Sequence, residues 1–177
     1  MVNKLGMFFL YFLFFILALM FFTPKSSVYY FLEKELKPYG VIISGEEVLD
    51  RGLSLEISGA NVSFGKIQSA TISEIKVNLF AFYNTVDFKD IVLSSLVESF
   101  VPLHVETAEV TYTVFSPLHV SAISKGEFGE AYVKANLLDR SVHVRLVPSE
   151  IMLKSHQTTL REFVKTESGE YEYDQTF

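Results

Sequence analysis

The sequence predicts an all-β domain, mostly antiparallel and curled or folded over, behind one N-terminal membrane-spanning helix. Three observations predict it. From Val41 onward apolar and polar residues alternate with a period of two, as in antiparallel strands with one buried and one wet face. Turn signals cut this alternation into about nine or ten short segments. Ahead of it, "LGMFFLYFLFFILALMFF", Leu5 to Phe22, runs without a charge. The elements divide the chain into an anchor at 1–23, a juxtamembrane helix at 24–39 and a β-rich domain at 40–177.

As a helix, the first segment measures roughly 27 Å, close to the ~30 Å hydrocarbon core of a bilayer. Leu5, Phe8, Phe12, Phe15, Leu19 and Phe22 supply its bulky lipid-facing surface. The alternative is a cleaved signal peptide, whose apolar region spans about 7–15 residues and ends at small residues. Here the run is longer and ends in Met20, Phe21 and Phe22, which favours an uncleaved single-pass anchor. Lysines on both flanks leave orientation open, because long domains translocate largely regardless of charge. A short anchor with a large C-terminal domain makes an extracytoplasmic domain the expectation.

"TPKSSVYYFLEKELKP" reads as a second helix. Pro24 suits a first turn and Ser26 or Ser27 a cap. Val28, Phe31, Leu32 and Leu36 share one face. That face lies either on the membrane surface or on the domain itself. Pro38 and Gly40 end the helix.

The strands follow. In "GLSLEISGANVSF" Leu53, Leu55 and Ile57 alternate with Ser54, Glu56 and Ser58, and after Gly59 the phase shifts to Ala60, Val62 and Phe64. Further alternations run through Ile75–Leu79, Val110–Val114, Leu118–Ala122, Val133–Leu137 and Val142–Leu146. Turn signals stand at Ser58-Gly59, Phe82-Tyr83-Asn84, Ser116-Pro117, Lys125-Gly126 and Asp139-Arg140. A helical turn is expected across 94–100 and a short helix near 157–166, followed by a turn at Ser168-Gly169 and a last strand from Glu170 to Tyr173.

So few helices cannot cover such a sheet, which must hide its apolar face by folding or curling on itself. A transmembrane barrel is disfavoured, because its strands need roughly 9–11 residues and these read as shorter. The apolar side, with Leu53, Leu55, Ile57, Ile75, Val77, Leu79, Val142, Val144 and Leu146, is either a sealed core or an open groove that holds acyl chains. Periodicity does not separate the two.

Chemistry is sparse. A net charge of −6 argues against a nucleic-acid binder. The absence of cysteine removes disulfides, thiolate metal sites and thiol nucleophiles. His104, His119, His143 and His156 show no metal-ligand spacing, so no metal and no cofactor is expected. There is no nucleophile elbow, and "GEFG" at Gly126–Gly129 lacks a phosphate loop's lysine; its glycines suit a turn or bulge. Glu46, Glu47, Asp50 and Arg51 read as a solvated cluster. The expectation is a protein that is not an enzyme.

Three stretches together resemble the type II secretion system protein N (GspN-like) family: the anchor followed by "GVIISGEEVLDRGLSLEISGANVSFGKIQSATISEIKVNLFAFYNTVDFKDIVL", the segment from Phe100 to Ser149 with Ser116-Pro117, "GEFG" and "NLLDR", and the closing "LREFVKTESGEYEYDQTF". That family is distantly similar to AsmA-like and lipopolysaccharide-export bridge proteins. The resemblance implies a Gram-negative inner-membrane protein with a periplasmic β-domain, acting as an accessory or scaffold of type II secretion. Its implied partners are the bilayer and secretion-system subunits or a lipid ligand. A lipid-binding or lipid-transfer module is the alternative.

Overall fold

The computed structural model describes residues 2–65, 67–80 and 82–176, with side chains from Lys4 onward. Met1 and Phe177, which close two of the stretches read above, lie outside the described residues. Helix α1 spans Val2–Phe22 and α2 spans Lys25–Leu36. A 3-10 turn at Lys37–Tyr39 ends at Gly40, whose φ of 81° closes the helix. The strands are β1 (Val41–Ser44), β2 (Glu47–Asp50), β3 (Ser54–Phe64), β4 (Ile67–Phe80), β5 (Tyr83–Leu93), β6 (His104–Thr113), β7 (His119–Gly126), β8 (Gly129–Asn136), β9 (Ser141–Pro148), β10 (Val164–Lys165) and β11 (Tyr171–Thr176). Helices α3 (Glu150–Ser155) and α4 (Gln157–Leu160) follow β9.

All the strands form one antiparallel sheet in the order β1-β3-β4-β5-β6-β7-β8-β9-β11-β10. β2 also pairs with β3, so β1 and β2 lie end to end along the same edge. The sheet is nearly a pure meander, which local hairpins make simple to build. It does not close: β1 with β2 forms one edge and β10 the other.

The all-β class and the leading apolar helix are as the sequence predicts, but the strands are longer. β3, β4 and β5 have 11, 14 and 11 residues. Ser58-Gly59 is not a turn. β3 runs through it, with Gly59 at a φ of 70°. The buried pair Ile57 and Ala60 is three residues apart, and the opposing Ile75 and Ile72 make the same three-residue step. Phe88 and Ile91 repeat it in β5 around Asp90, at a φ of 49°. Val105 and Ala108 repeat it in β6, where the register breaks between Val105 and Thr107. The phase shift therefore crosses four neighbouring strands in step, as a line of bends. Because the neighbours shift together, the apolar face stays on one side.

That face carries two packed regions. Leu55, Ile57, Ala60, Ile72 and Ile75 form one, with Tyr29 of α2 laid against it. Val105, Phe128, Leu146, Met152 and Leu160 form the other, covered by α3 and α4. Among the described residues no second sheet lies over the space between them. There, Val77, Val86, Val110, Val133 and Val144 are half-buried, the degree of cover a concave sheet provides by its own curl. The face is thus covered at two places by helices, has no second layer, and stays half-buried between them.

The C-terminal helix expected near 157–166 differs. Helix begins at Glu150, where Ser149 accepts a hydrogen bond from the Met152 N–H at 3.1 Å, a side-chain cap. It ends at Leu160, and Val164–Lys165 is strand. The turn expected across 94–100 is a single 3-10 turn at Ser95–Val97, capped by Ser94. The last strand runs from Tyr171 to Thr176, longer at its end than expected.

Candidate functional site

The expected groove residues divide. Leu55, Ile57, Ile75 and Leu146 are fully buried in the two packed regions. Val77, Leu79, Val142 and Val144 lie half-buried on the same face. Leu53 is different: it precedes β3 and is exposed, because Gly52 and Leu53 make the turn out of β2. Cross-strand pairing aligns the uncovered part of the face into rows. One row passes Val77, Val86, Val110, Ala122, Val133, Val144 and Tyr173. Seven strand intervals, β3 to β11, make this trough roughly 34 Å wide at ~4.8 Å each. No charged residue stands in that row, and Tyr173 closes it with its ring 5.4 Å from Phe163.

At one end the trough meets α1. A cavity of about 230 Å³ is bounded by Ile16, Leu19, Met20 and Thr23 of the first helix, by Lys25, and by Leu79, Phe80 and Asn84 of the sheet. Leu5, Phe8, Phe12, Phe15, Leu19 and Phe22, the expected lipid-facing residues, are all exposed along α1. The span Lys4–Phe22 has a mean hydropathy of 2.6 and none of it is buried, so it meets the length and composition of a membrane anchor or a signal sequence.

The joint between α1 and the sheet is built on a residue that sequence reading passed over as a flanking charge. Lys25 is 1% exposed. Its ammonium donates to Met20 O at 2.7 Å, to Thr23 O at 3.3 Å and to Gly52 O. The first two are carbonyls at the C-terminal end of α1, where a cation is favoured. The third belongs to the β2–β3 turn, which ties helix to sheet. Asp50 Oδ2 accepts from the Lys25 N–H at 2.9 Å, and this carboxylate caps α2 in place of Ser26 or Ser27. Asp50 Oδ1 accepts from the Gly52 N–H at 2.8 Å. The backbone bond from Gly52, then that from Lys25, holds the Asp50 carboxyl below its usual range. Asp50 is therefore part of the joint and not of a loose charge cluster. The sequence signal was a lysine two residues past the anchor and an Asp-Arg-Gly turn, each commonplace alone.

α2 packs on the sheet, but by a different line from the apolar stripe. Lys25, Tyr29 and Glu33 turn inward, while Val28, Phe31, Leu32 and Leu36 are exposed. Tyr29 packs against the cluster that Leu55 and Ile57 share with Ala60, Ile72 and Ile75, and donates to Glu46 Oε1 at 3.3 Å. Burial and the nearby Glu46 push its phenol well above the usual range.

The opposite face is polar and carries several ion pairs. Lys89 binds Glu74 at 3.0 Å and Lys125 binds Glu130 at 2.8 Å. Arg145 sits 4.6 Å over the Tyr132 ring. Lys125, then Tyr132, donating to Glu130 lowers the Glu130 carboxyl. His119 Nδ1 meets Ser116 Oγ at 2.9 Å and His143 Nδ1 meets Asp174 Oδ1 at 2.8 Å. Both imidazoles border one cleft of about 430 Å³. Among the described residues, no group of three or more His, Cys, Asp or Glu side chains is placed to hold a metal ion.

No family model, curated protein or solved structure matches this chain.

Proposed function

We propose that this protein is a membrane-anchored, non-enzymatic lipid-binding domain, in which the concave apolar face of the sheet accommodates acyl chains. One observation carries the reading: a continuous apolar face stays half-covered along the sheet and runs to the end of α1. A soluble domain of this size rarely leaves so much contiguous apolar surface without an occupant. Each methylene taken from water into such a face contributes about 0.8 kcal/mol, so one acyl chain would be held firmly. α1 anchors the domain in the inner membrane, with the sheet on the periplasmic side. This fits the resemblance to AsmA-like and lipopolysaccharide-export bridge proteins.

The test is native mass spectrometry of the full chain extracted in mild detergent. Phospholipid or lipopolysaccharide should be retained at fixed stoichiometry. Val133→Asp places a carboxylate mid-trough, where burial without a partner is costly. It should reduce retained lipid by about tenfold, an effect of about 1.4 kcal/mol. Lipid-free wild-type protein would refute the reading.

A second reading is a scaffold for type II secretion subunits, as the resemblance to the protein N family implies. The observation favouring it is the outer edge of β11. β10 pairs only with Glu172 and Tyr171, so Tyr173 to Thr176 offer backbone groups on that side to an added strand. Crosslinking at Asp174 to secretion subunits, with no retained lipid, would favour it.

A further inference from the structure

The turns at the α1 end of the sheet form a single apolar rim. Antiparallel pairing puts three hairpin tips at that end: the β4–β5 tip with Phe80 and Phe82, the β6–β7 tip with Phe115 and Leu118, and the β8–β9 tip with Leu137 and Leu138. Phe82 is 60%, Phe115 84% and Leu138 71% exposed, and a contiguous group of such side chains marks an interaction or membrane surface. Polar turn residues would have cost nothing in folding, so the composition asks for a non-aqueous neighbour.

The tips are also tied together. Val114 N–H donates to Phe82 O at 3.1 Å, and Leu137 N–H donates to Leu118 O at 2.8 Å. The Phe82 and Phe115 rings stack with centroids 5.8 Å apart. The stretches Phe80–Tyr83 and Val114–Leu118 contain no charged residue. The far end of the sheet exposes Phe64, Leu96 and Phe100 too, but α1 meets the sheet at the opposite end, beside Leu79 and Phe80.

Position supplies the occupant. Ile16 of α1 and Leu79 and Phe80 of the sheet border the same cavity. Ile16 lies six residues before Phe22, about 9 Å along a helix axis. If the span Lys4–Phe22 crosses a bilayer, side chains level with Ile16 stand at or below the headgroup layer. The Lys25 joint fixes that level.

We propose that the three-hairpin rim inserts into the surface of the same bilayer that holds α1, so that the trough opens into the acyl region and not into water. This rests on the membrane-anchor reading given above. Monotopic apolar surfaces penetrate about 5–10 Å, the depth the Ile16 level implies. At the third tip Asp139, which accepts from Asn136 Nδ2, and Arg140 follow Leu138, and Arg140 is placed to reach headgroup phosphates while the leucines insert.

The chain contains no tryptophan, so single reporters are clean. Phe15→Trp on α1, Phe115→Trp on the rim and Phe100→Trp at the far end would each be made in the full chain. Each would be reconstituted in phosphatidylcholine vesicles carrying brominated acyl chains. Phe15→Trp and Phe115→Trp should be quenched, at least about threefold more than Phe100→Trp, given the depth of insertion. Quenching of Phe15→Trp without Phe115→Trp would overturn the rim and leave the anchor standing, and would point to a protein partner at that surface. Absence of quenching at Phe15→Trp would overturn both. Equal quenching at Phe100→Trp would overturn the rim's orientation. Leu138→Trp, on a separate hairpin, repeats the test should Phe115→Trp not fold.

Discussion

Replacing Lys25 by methionine tests the joint between helix and sheet. Methionine keeps most of the buried stem and removes the ammonium, which leaves the carbonyls of Met20, Thr23 and Gly52 without their donor. The contact with Thr23 O, at 3.3 Å, is long and counts for little. The bonds to Met20 O and Gly52 O are charge-assisted, each contributing about 1.5–3 kcal/mol. Against their loss stands the desolvation cost that a buried ammonium no longer incurs. The net loss is about 3 kcal/mol, concentrated where α1 meets the β2–β3 turn. Local opening should then rise by about 100-fold, since 1.4 kcal/mol is a factor of ten. Hydrogen exchange of the full chain in nanodiscs reads this directly: the amides of Lys25 and Gly52, both bonded to Asp50, should lose protection while those of β7 and β8 keep it. Unchanged exchange at Gly52 would refute the idea that Lys25 holds the two parts in register.

Other outcomes follow from the same geometry. Gly129 has a φ of 109°, and an added Cβ would stand 2.1 Å from Val147 O. Gly129→Ala should therefore lower stability by about 3 kcal/mol or more, read as a thermal shift of roughly 6–12 °C, and an unchanged melting point would contradict the turn. Asp50 titrates below its usual value, so its stabilisation of the joint is fully present above about pH 4 and is lost as pH falls through the lowered value. The protection factor of the Lys25 amide, with the pH dependence of intrinsic exchange divided out, should therefore be flat from neutral to mildly acidic pH and fall below about pH 4, and Asp50→Asn should abolish that step.

The alternation of residues determined that this chain would be a sheet with one apolar side, since side chains of a strand must point to opposite faces in turn. The uncharged run before it determined a lone apolar helix. Even the line of bends was present at Gly59, as a slip in phase, although its meaning as a bend rather than a turn was not. A single strand cannot say whether its neighbours slip with it, and Ile72, Asp90 and Val105 make the bend by doing so together. Tertiary structure decided the rest. Which lysine is buried depends on where three carbonyls converge from separate elements, so Lys25 looks like Lys34 until the chain is folded. Whether an apolar face is sealed depends on what lies over it. The stripe of α2 offered one cover and the fold used another line, because Tyr29 and Lys25 meet the sheet only when Asp50 captures the start of the helix. The uncovered trough and the apolar rim are products of pairing between distant segments, and no local period encodes them.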